Sequence, residues 1–330
     1  MSGAGEIRRV ADLVARGLVA PEAAPALERV VARFALTITA EMAALIDPTD
    51  PADPIAAQFV PDPAELAVAA DEVADPIGDD PHEVAPGLTH RYPDRVLLKP
   101  THLCRIYCRF CFRRDRVGDG AANLSEADLD RAMAYIAARP EIFEVILTGG
   151  DPLVLSDRRL AAILEPGRMS AATAGLLRRR FATWMVVHVD HPRELTDGAA
   201  AAIGRLVDAG VPVLSQTTLL AGVNAEAGVL EALFRRLVAL RVKPYYLHHL
   251  DRAEGTARFR ATVAEGRALM RALRGRLTGI AQPTYVLDIP GGAGKVPIGP
   301  DPLTASGAGE GGTTRWSVED PDGGRHDWEG

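Results

Sequence analysis

The stretch "RVLLKPTHLCRIYCRFCFRR", residues 95–114, joins a strand-like apolar run to a loop that holds every cysteine of the 330-residue chain. Cys104, Cys108 and Cys111 follow the spacing C-x3-C-x2-C. Thiolates are soft ligands that bind iron, copper(I) and zinc. Three of them on one short loop can hold three corners of a [4Fe–4S] cluster and leave the fourth iron without a protein ligand.

Other interpretations of this loop are weaker. A structural zinc site normally has four ligands, and His102 is the candidate for the fourth. Three ordinary core cysteines would not gather within eight residues and be absent from the rest of the chain. An odd number of cysteines also cannot pair completely within one chain, which disfavours a disulfide framework.

The composition indicates a globular protein. A net charge of −7 and a pI near 5.7 disfavour a nucleic-acid partner. No apolar window approaches 18 residues, and the first residues, "MSGAGEIRRVADLVARGL", lack the apolar core of a signal peptide. We therefore expect a cytoplasmic protein with no membrane partner.

Four regions of the chain differ in composition and in the spacing of their apolar residues. Residues 1–46 have apolar side chains at helical spacing, and we expect packed helices there. Residues 47–90 contain eight prolines, eleven acidic residues and no Lys or Arg before Arg91, which predicts a loop-rich connector. Residues 91–300 alternate strand-like and helical runs, and residues 301–330 form a Gly-rich tail whose end could be a hairpin.

The alternating region predicts an α/β fold. Its strand-like runs are "RVLLKP", "EVILTGGDP", "WMVVHVDHP", "VPVLSQTTLL", "KPYYLHHLD" and "YVLDIPGG". Strand-then-helix repetition implies a parallel sheet, either open or closed toward a barrel, with its chemistry at the carboxyl ends of the strands. The polar or glycine residues that follow these runs are Gly149, Gly150, Asp151, His188, Gln216, Asp251 and Asp288.

A lysine follows the last of these runs, in "YVLDIPGGAGKVPI", residues 285–298. A phosphate-binding loop of the form G-x4-G-K-[ST] would require glycine at Ile289 and serine or threonine at Val296, so that interpretation fails twice. A lysine on a Gly-rich turn can instead form a Schiff base with a carbonyl cofactor. Lys295 is the candidate.

Taken together, these motifs resemble the lysine 2,3-aminomutase family of radical S-adenosylmethionine enzymes, which includes the elongation factor P lysine aminomutases. The resemblance covers about residues 18–300 and includes "GLTHRYPDRVLL" and "CRFCFRR". It implies a partial (β/α) barrel with an N-terminal helical extension. The implied cofactors are a [4Fe–4S] cluster, S-adenosylmethionine and pyridoxal 5′-phosphate.

The resemblance also implies roles for individual residues. Cys104, Cys108 and Cys111 would bind the cluster, and Lys295 would form the Schiff base. The S-adenosylmethionine contacts would be Gly149, Gly150, Asp151, His188 and Gln216, and those to pyridoxal phosphate would be Arg91, Tyr92 and Arg95. Arg113 would bind the substrate α-carboxylate, and Asp251 and Asp288 would bind its ε-ammonium group. A structural hydrogen bond is the alternative role for His188 and Gln216, and a helix cap or surface charge for the two aspartates.

The implied activity is conversion of L-lysine to β-lysine by 1,2-amino migration, with an electron donor for the cluster and a homo-oligomeric assembly. A lysine of elongation factor P is the rival substrate, whereas a glutamate enzyme would need a cation in place of the aspartates. The family has a further strand where this chain has "LEPGRMSAATAGLLRRRFATW", residues 164–184, so the barrel is expected to be one strand short. An impaired or non-catalytic iron–sulfur protein, and a pyridoxal phosphate protein without radical chemistry, stay open as alternatives.

Overall fold

The computed structural model describes residues 5–118, 123–156, 159, 182–309 and 313–329. The chain divides into two compact units. The first contains Met1–Thr183, Asp251–Phe259 and Asp288–Gly294, and the second contains Trp184–Leu250, Arg260–Leu287 and Lys295–Gly330. The segment predicted to be one strand short lies outside the described residues, except for residues 182–184.

Four short helices begin the first unit: α1 (Val10–Ala15), α2 (Ala24–Val31), α3 (Ala40–Ala43) and α4 (Pro54–Phe59). Their apolar side chains pack around Ile7 and Ile38, both fully buried. The carboxylate of Asp53 accepts hydrogen bonds from the backbone N–H groups of Ile55 and Ala56 at the start of α4. Such a cap is needed because the first amides of a helix have no intrahelical partner.

The first unit also contains a four-stranded sheet in the order β1-β2-β3-β4. Its strands are β1 (Glu83–Ala85), β2 (Leu88–Tyr92), β3 (Arg95–Thr101) and β4 (Glu144–Gly149). β1, β2 and β3 are antiparallel neighbours, whereas β3 and β4 are parallel. A parallel pair needs a crossover connection, and α5 (Glu126–Ala137) supplies it. Leu129, Met133 and Ile136 of α5 are buried, at the spacing of one helical face.

A five-stranded sheet follows in the order β5-β6-β7-β8-β9. Its strands are β5 (Met185–His188), β6 (Val213–Leu219), β7 (Val242–His249), β8 (Thr284–Ile289) and β9 (Gly294–Pro297). The pairs from β5 to β8 are parallel. Their connections contain α6 (Asp197–Asp208), α7 (Ala227–Ala239) and α8 (Val263–Leu273). α7 buries Leu230, Leu233, Phe234 and Leu237 completely, and they form one stripe along the helix.

The six strand-like runs of the sequence correspond to β3 through β8. With helices between parallel strands, they confirm the predicted α/β class. They formed as expected because short β-branched runs ended by Gly or Pro favour strands over helices.

The tail forms a separate antiparallel sheet in the order β10-β11-β12. Its strands are β10 (Leu303–Ala308), β11 (Thr314–Glu319) and β12 (Arg325–Glu329). The turn between β11 and β12 is closed by a hydrogen bond of 2.8 Å from Asp320 N to Gly324 O. No helix in the described part of the chain combines the length and apolar character needed to span a bilayer.

Candidate active site

The three cysteines lie on the loop after β3, in the first unit, and all are partly buried. Cys104 and Cys111 pack beside an apolar cluster that contains Phe34 and Tyr107. Cys108 packs against the apolar cluster of the N-terminal helices. Its carbonyl accepts a 3.2 Å hydrogen bond from the backbone N–H of Cys111.

Burial dominates the acidity of two of these thiols. It raises the pKa of Cys104 to about 12, with further contributions from Cys111 and Asp151. Burial also raises the pKa of Cys111, although the N–H of Arg113 and the charges of Arg113 and Arg114 oppose it. Thiolates, not thiols, bind metals. A bound cation must therefore displace these protons, as in other cysteine metal sites.

The donor chemistry of the loop fits an iron–sulfur cluster, because its side chains offer three thiols to soft iron. Among the described residues, however, no group of three or more His, Cys, Asp or Glu side chains is placed to hold a metal ion. The zinc alternative gains no support from His102, which instead lines a small cavity with Asp79, Lys99 and Arg113.

We expect iodoacetamide to alkylate Cys104 slowly in the metal-free protein. Because the pKa of this thiol is raised, its neutral, unreactive form persists as the pH rises. At pH 8 the thiolate fraction of Cys104 therefore stays far below that of an exposed cysteine, whose pKa is about 8.5. The rate at Cys104, followed by peptide mass spectrometry from pH 6 to pH 9, should stay well below that of a free cysteine. Rapid labelling at pH 7 would show that this thiol is not buried.

The Gly-Gly-Asp element, which consists of the predicted S-adenosylmethionine contacts Gly149, Gly150 and Asp151, lies directly against the start of the cysteine loop. Gly150 N–H donates to Thr101 O at 2.7 Å, and Asp151 N–H donates to Leu103 O at 2.8 Å. A Cβ atom on Gly150 would lie 2.2 Å from the carbonyl oxygen of Leu103, so only glycine permits this approach. The Asp151 N–H also interacts with the Cys104 thiol and offsets a small part of the rise in its pKa. The structure thus brings these predicted residues together.

Arg113, the predicted carboxylate-binding residue, contacts a carboxylate of the connector. Its Nε and Nη2 donate to Asp79 Oδ2 at 3.0 and 2.8 Å, and its Nη1 donates to Thr148 Oγ1 at 3.2 Å. Lys99 Nζ lies 3.8 Å from the same Asp79 oxygen. Burial alone would raise the pKa of Asp79, but the neighbouring cations, Arg113 first, outweigh it and hold that pKa below its usual range.

A second carboxylate of the connector binds two further arginines of the cysteine loop. Glu65 accepts from Arg109 Nε at 3.0 Å and from Arg109 Nη2 at 2.5 Å, and it also accepts from Arg114 Nη2. Glu65 and Arg109 are fully buried, and Arg114 is 2% exposed. Arg114 Nη1 further donates to the carbonyl of Gly255 at 3.1 Å. The cysteine loop is therefore held by buried ion pairs as well as by its backbone.

Of the residues predicted to contact pyridoxal phosphate, Arg91 is suited to an anion. Its Nη2 donates to Ile77 O at 2.7 Å, while its buried Nε has no hydrogen-bond partner within the described residues. Arg95 is more exposed and stacks on the Tyr92 ring, 4.0 Å from its centroid. Gly294 has φ +117°, and a Cβ there would lie 3.2 Å from Tyr92 Oη. The glycine-rich turn thus approaches Tyr92 closely.

Lys295 lies on β9 and reaches across the sheet to β7. Its Nζ is 3.1 Å from His248 Nδ1 and 5.5 Å from the centroid of the Tyr246 ring. All three side chains are half-buried. An amine beside an imidazole, next to a glycine-rich turn, fits a lysine that binds a carbonyl cofactor.

His188 and Gln216, predicted to contact S-adenosylmethionine, are register partners on β5 and β6. His188 Nε2 lies 2.7 Å from Asp190 Oδ2. Burial lowers the pKa of His188, but the charge and hydrogen bond of Asp190 outweigh it, and the net pKa is raised. The structure therefore brings these two residues together and shows that His188 also has the structural hydrogen bond considered above.

Asp251 and Asp288 lie where the sequence predicts them. Asp251 comes two residues after β7, and Asp288 lies near the end of β8, the parallel neighbour of β7. Asp251 is close enough to Cys111 to raise the pKa of that thiol.

Sequence reasoning missed His248 and Asp79. The signal for His248 was its position near the end of a predicted strand, in "YYLHHLD", on the same sheet as the lysine. The signal for Asp79 was the acidic excess of the connector opposite the arginines of "CRFCFRR".

Comparison with known proteins identifies the relatives of this chain. A family model described as lysine-2,3-aminomutase matches residues 270–310, which include Lys295. The chain is 38% identical to the L-lysine 2,3-aminomutase of Clostridium subterminale over 287 residues, which cover 81% of this chain and 69% of that protein. It is 38% identical to a putative L-lysine 2,3-aminomutase of Aquifex aeolicus, with 85% and 82% covered. It is also 33% identical to a glutamate 2,3-aminomutase of Clostridioides difficile, with 85% and 71% covered.

Matches of this identity extend over most of the chain, and the family model includes Lys295. The protein therefore belongs to the lysine 2,3-aminomutase family and is an isomerase, an aminomutase.

Proposed function

We propose that this aminomutase converts L-lysine to β-lysine and uses a [4Fe–4S] cluster, S-adenosylmethionine and pyridoxal phosphate. The observation that carries the proposal is the 3.1 Å contact between Lys295 Nζ and His248 Nδ1. Lys295 lies inside the segment that matches the family model. A partly buried amine beside a base is suited to covalent attachment of a carbonyl cofactor.

L-lysine is the substrate that several relatives carry in their names, whereas one relative is named for glutamate. Asp251 and Asp288 favour the cationic substrate, since carboxylates at the ends of two neighbouring parallel strands attract an ammonium group. We assign Arg113 to the α-carboxylate, because its guanidinium already binds the carboxylate of Asp79 through two N–H groups.

We assign the remaining residues to the roles that the family resemblance implies. The cluster would be bound by Cys104, Cys108 and Cys111. S-adenosylmethionine would be bound by the backbone at Gly149, Gly150 and Asp151, together with His188 and Gln216. Arg91, with its free buried Nε, is the strongest candidate among the described residues for the phosphate, followed by Arg95, with Tyr92 as a neighbour. The bound cofactors would supply a carbon radical and a carbonyl group to carry the migrating nitrogen, while the protein positions the substrate and excludes water.

We also propose that the strands formed by the six runs, β3 to β8, belong to a partial barrel of the radical S-adenosylmethionine type. The support is the family membership and the position of the cysteine loop directly after β3. In such folds the residues at the carboxyl ends of the strands perform the chemistry.

The test is anaerobic reconstitution with iron, sulfide and pyridoxal phosphate, followed by incubation with reductant, S-adenosylmethionine and L-lysine. 5′-Deoxyadenosine and β-lysine are measured in the same samples. We expect both products from the wild type, neither from Cys108→Ala, and no β-lysine from Lys295→Ala. Lys243→Ala is the matched control, because Lys243 donates to the carbonyl of Gln282 and has no assigned role.

Each other outcome has a distinct meaning. Deoxyadenosine without β-lysine would exclude free lysine, and the same assay with elongation factor P or L-glutamate would then identify the substrate. Absence of both products from a protein that binds iron and pyridoxal phosphate would contradict the proposed activity.

A further inference from the structure

We propose that His248 is the group that takes the proton from Lys295 and returns it when the lysine binds or releases a carbonyl cofactor. This inference rests on the proposed function of Lys295. It adds a catalytic residue that the motifs of the sequence did not indicate.

Lys295 Nζ and His248 Nδ1 are 3.1 Å apart, a hydrogen-bond distance across which a proton can move directly. When the lysine is an ammonium group, its N–H donates and the neutral Nδ1 accepts. After transfer the imidazolium Nδ1–H donates to the amine. The same contact therefore serves both protonation states.

His248 lies on β7, between β6 and β8. Its register partners are Thr218 on β6 and Val286 on β8, which do not titrate near neutral pH. Tyr246, two residues earlier on the same strand face, packs its ring edge-on at 5.5 Å. Lys295 is a charged group within hydrogen-bond distance of His248.

Other titratable residues lie on these strands. Tyr245 OH donates to Tyr246 OH at 2.8 Å. Asp288 lies two residues after Val286 on β8 and so belongs to the same face of that strand. The adjacent His249 is already committed elsewhere, because its Nδ1 lies 2.7 Å from Tyr285 OH.

A lysine ammonium cannot attack an aldehyde, so it must first lose a proton, and here the acceptor is His248 Nδ1. The amine nitrogen then forms a bond to the aldehyde carbon, and the aldehyde oxygen leaves as water. Of the three ammonium protons, two depart with that oxygen and one stays on nitrogen. His248 takes the first of the departing protons and delivers it to the oxygen.

The experiment measures covalent capture of pyridoxal phosphate by the full-length protein, without any turnover. Capture is followed by absorbance, and the modified residue is identified by borohydride reduction and mass spectrometry. The variants are His248→Gln, which keeps a polar side chain that cannot exchange protons at neutral pH, and His248→Ala. His249→Gln is the matched control on the same strand.

We expect both His248 variants to capture pyridoxal phosphate about 100-fold more slowly at pH 7, the usual loss when a general acid–base group is removed. The final yield should stay near that of the wild type, because a proton carrier changes the rate and not the equilibrium. Added imidazole should accelerate His248→Ala, and His249→Gln should match the wild type.

Two results would overturn the inference. If the wild type captures pyridoxal phosphate at Lys295 and both His248 variants do so at the same rate, His248 is not the proton carrier, while the proposed function stands. If the wild type captures none, or captures it equally after Lys295→Ala, the proposed role of Lys295 and this inference are both wrong.

Discussion

Glu65→Ala is expected to destabilise the protein by about 3–5 kcal/mol, the usual cost of removing one partner from a buried ion pair. Glu65 is fully buried, and its carboxylate binds the guanidinium groups of Arg109 and Arg114. Without it, two positive charges would remain in the interior with no carboxylate between them. The measurement is the free energy of unfolding in urea at neutral pH.

Asp62→Asn is the matched control. Asp62 belongs to the same connector and pairs with Arg258, but its side chain is 42% exposed. An exposed pair contributes about 0–1 kcal/mol, so this variant should unfold almost like the wild type. Equal losses of unfolding free energy in Glu65→Ala and Asp62→Asn would show that burial does not determine how much these ion pairs stabilise the protein. Retained stability in Glu65→Ala would show that the arginines find other partners.

Gly150→Ala should displace the cysteine loop and lower the iron content of the reconstituted protein. The new Cβ would lie 2.2 Å from Leu103 O and 2.7 Å from the carbonyl carbon of His102, both backbone atoms that cannot rotate away. Overpacking of this kind costs about 1–3 kcal/mol. Iron per chain after reconstitution and the free energy of unfolding are the two measurements.

The control for this variant lies on α6. Nothing is within 4 Å of a Cβ placed at Gly204, and this residue is inside a helix. Gly204→Ala should therefore stabilise the protein by about 0.5–1 kcal/mol and leave the iron content unchanged. If the two alanine variants bind iron equally, the contact between the Gly-Gly-Asp element and the loop does not position the cysteines.

Local patterns in the sequence predicted much of the fold. β-Branched runs bounded by Gly or Pro became β3 to β8, and His188 and Gln216 became neighbours because parallel strands align their carboxyl ends. Contacts between distant side chains were not predicted. The pairing of Asp79 with Arg113 spans 34 residues, and the contact of His248 with Lys295 depends on strand order. Composition indicates that such charged residues will form pairs, but it does not indicate which residues pair with each other.

The ion pairs of the connector also bear on how the protein assembles. Glu65 reaches Arg109 across 44 residues, and Asp62 reaches Arg258 across 196. Closing such long loops costs chain entropy before the stabilising contacts have formed. Contacts between residues far apart in the sequence therefore slow folding. The cysteine loop should therefore acquire its final shape late. Iron delivered to a nascent chain would meet three unordered thiols, so we expect cluster insertion to follow folding rather than to guide it.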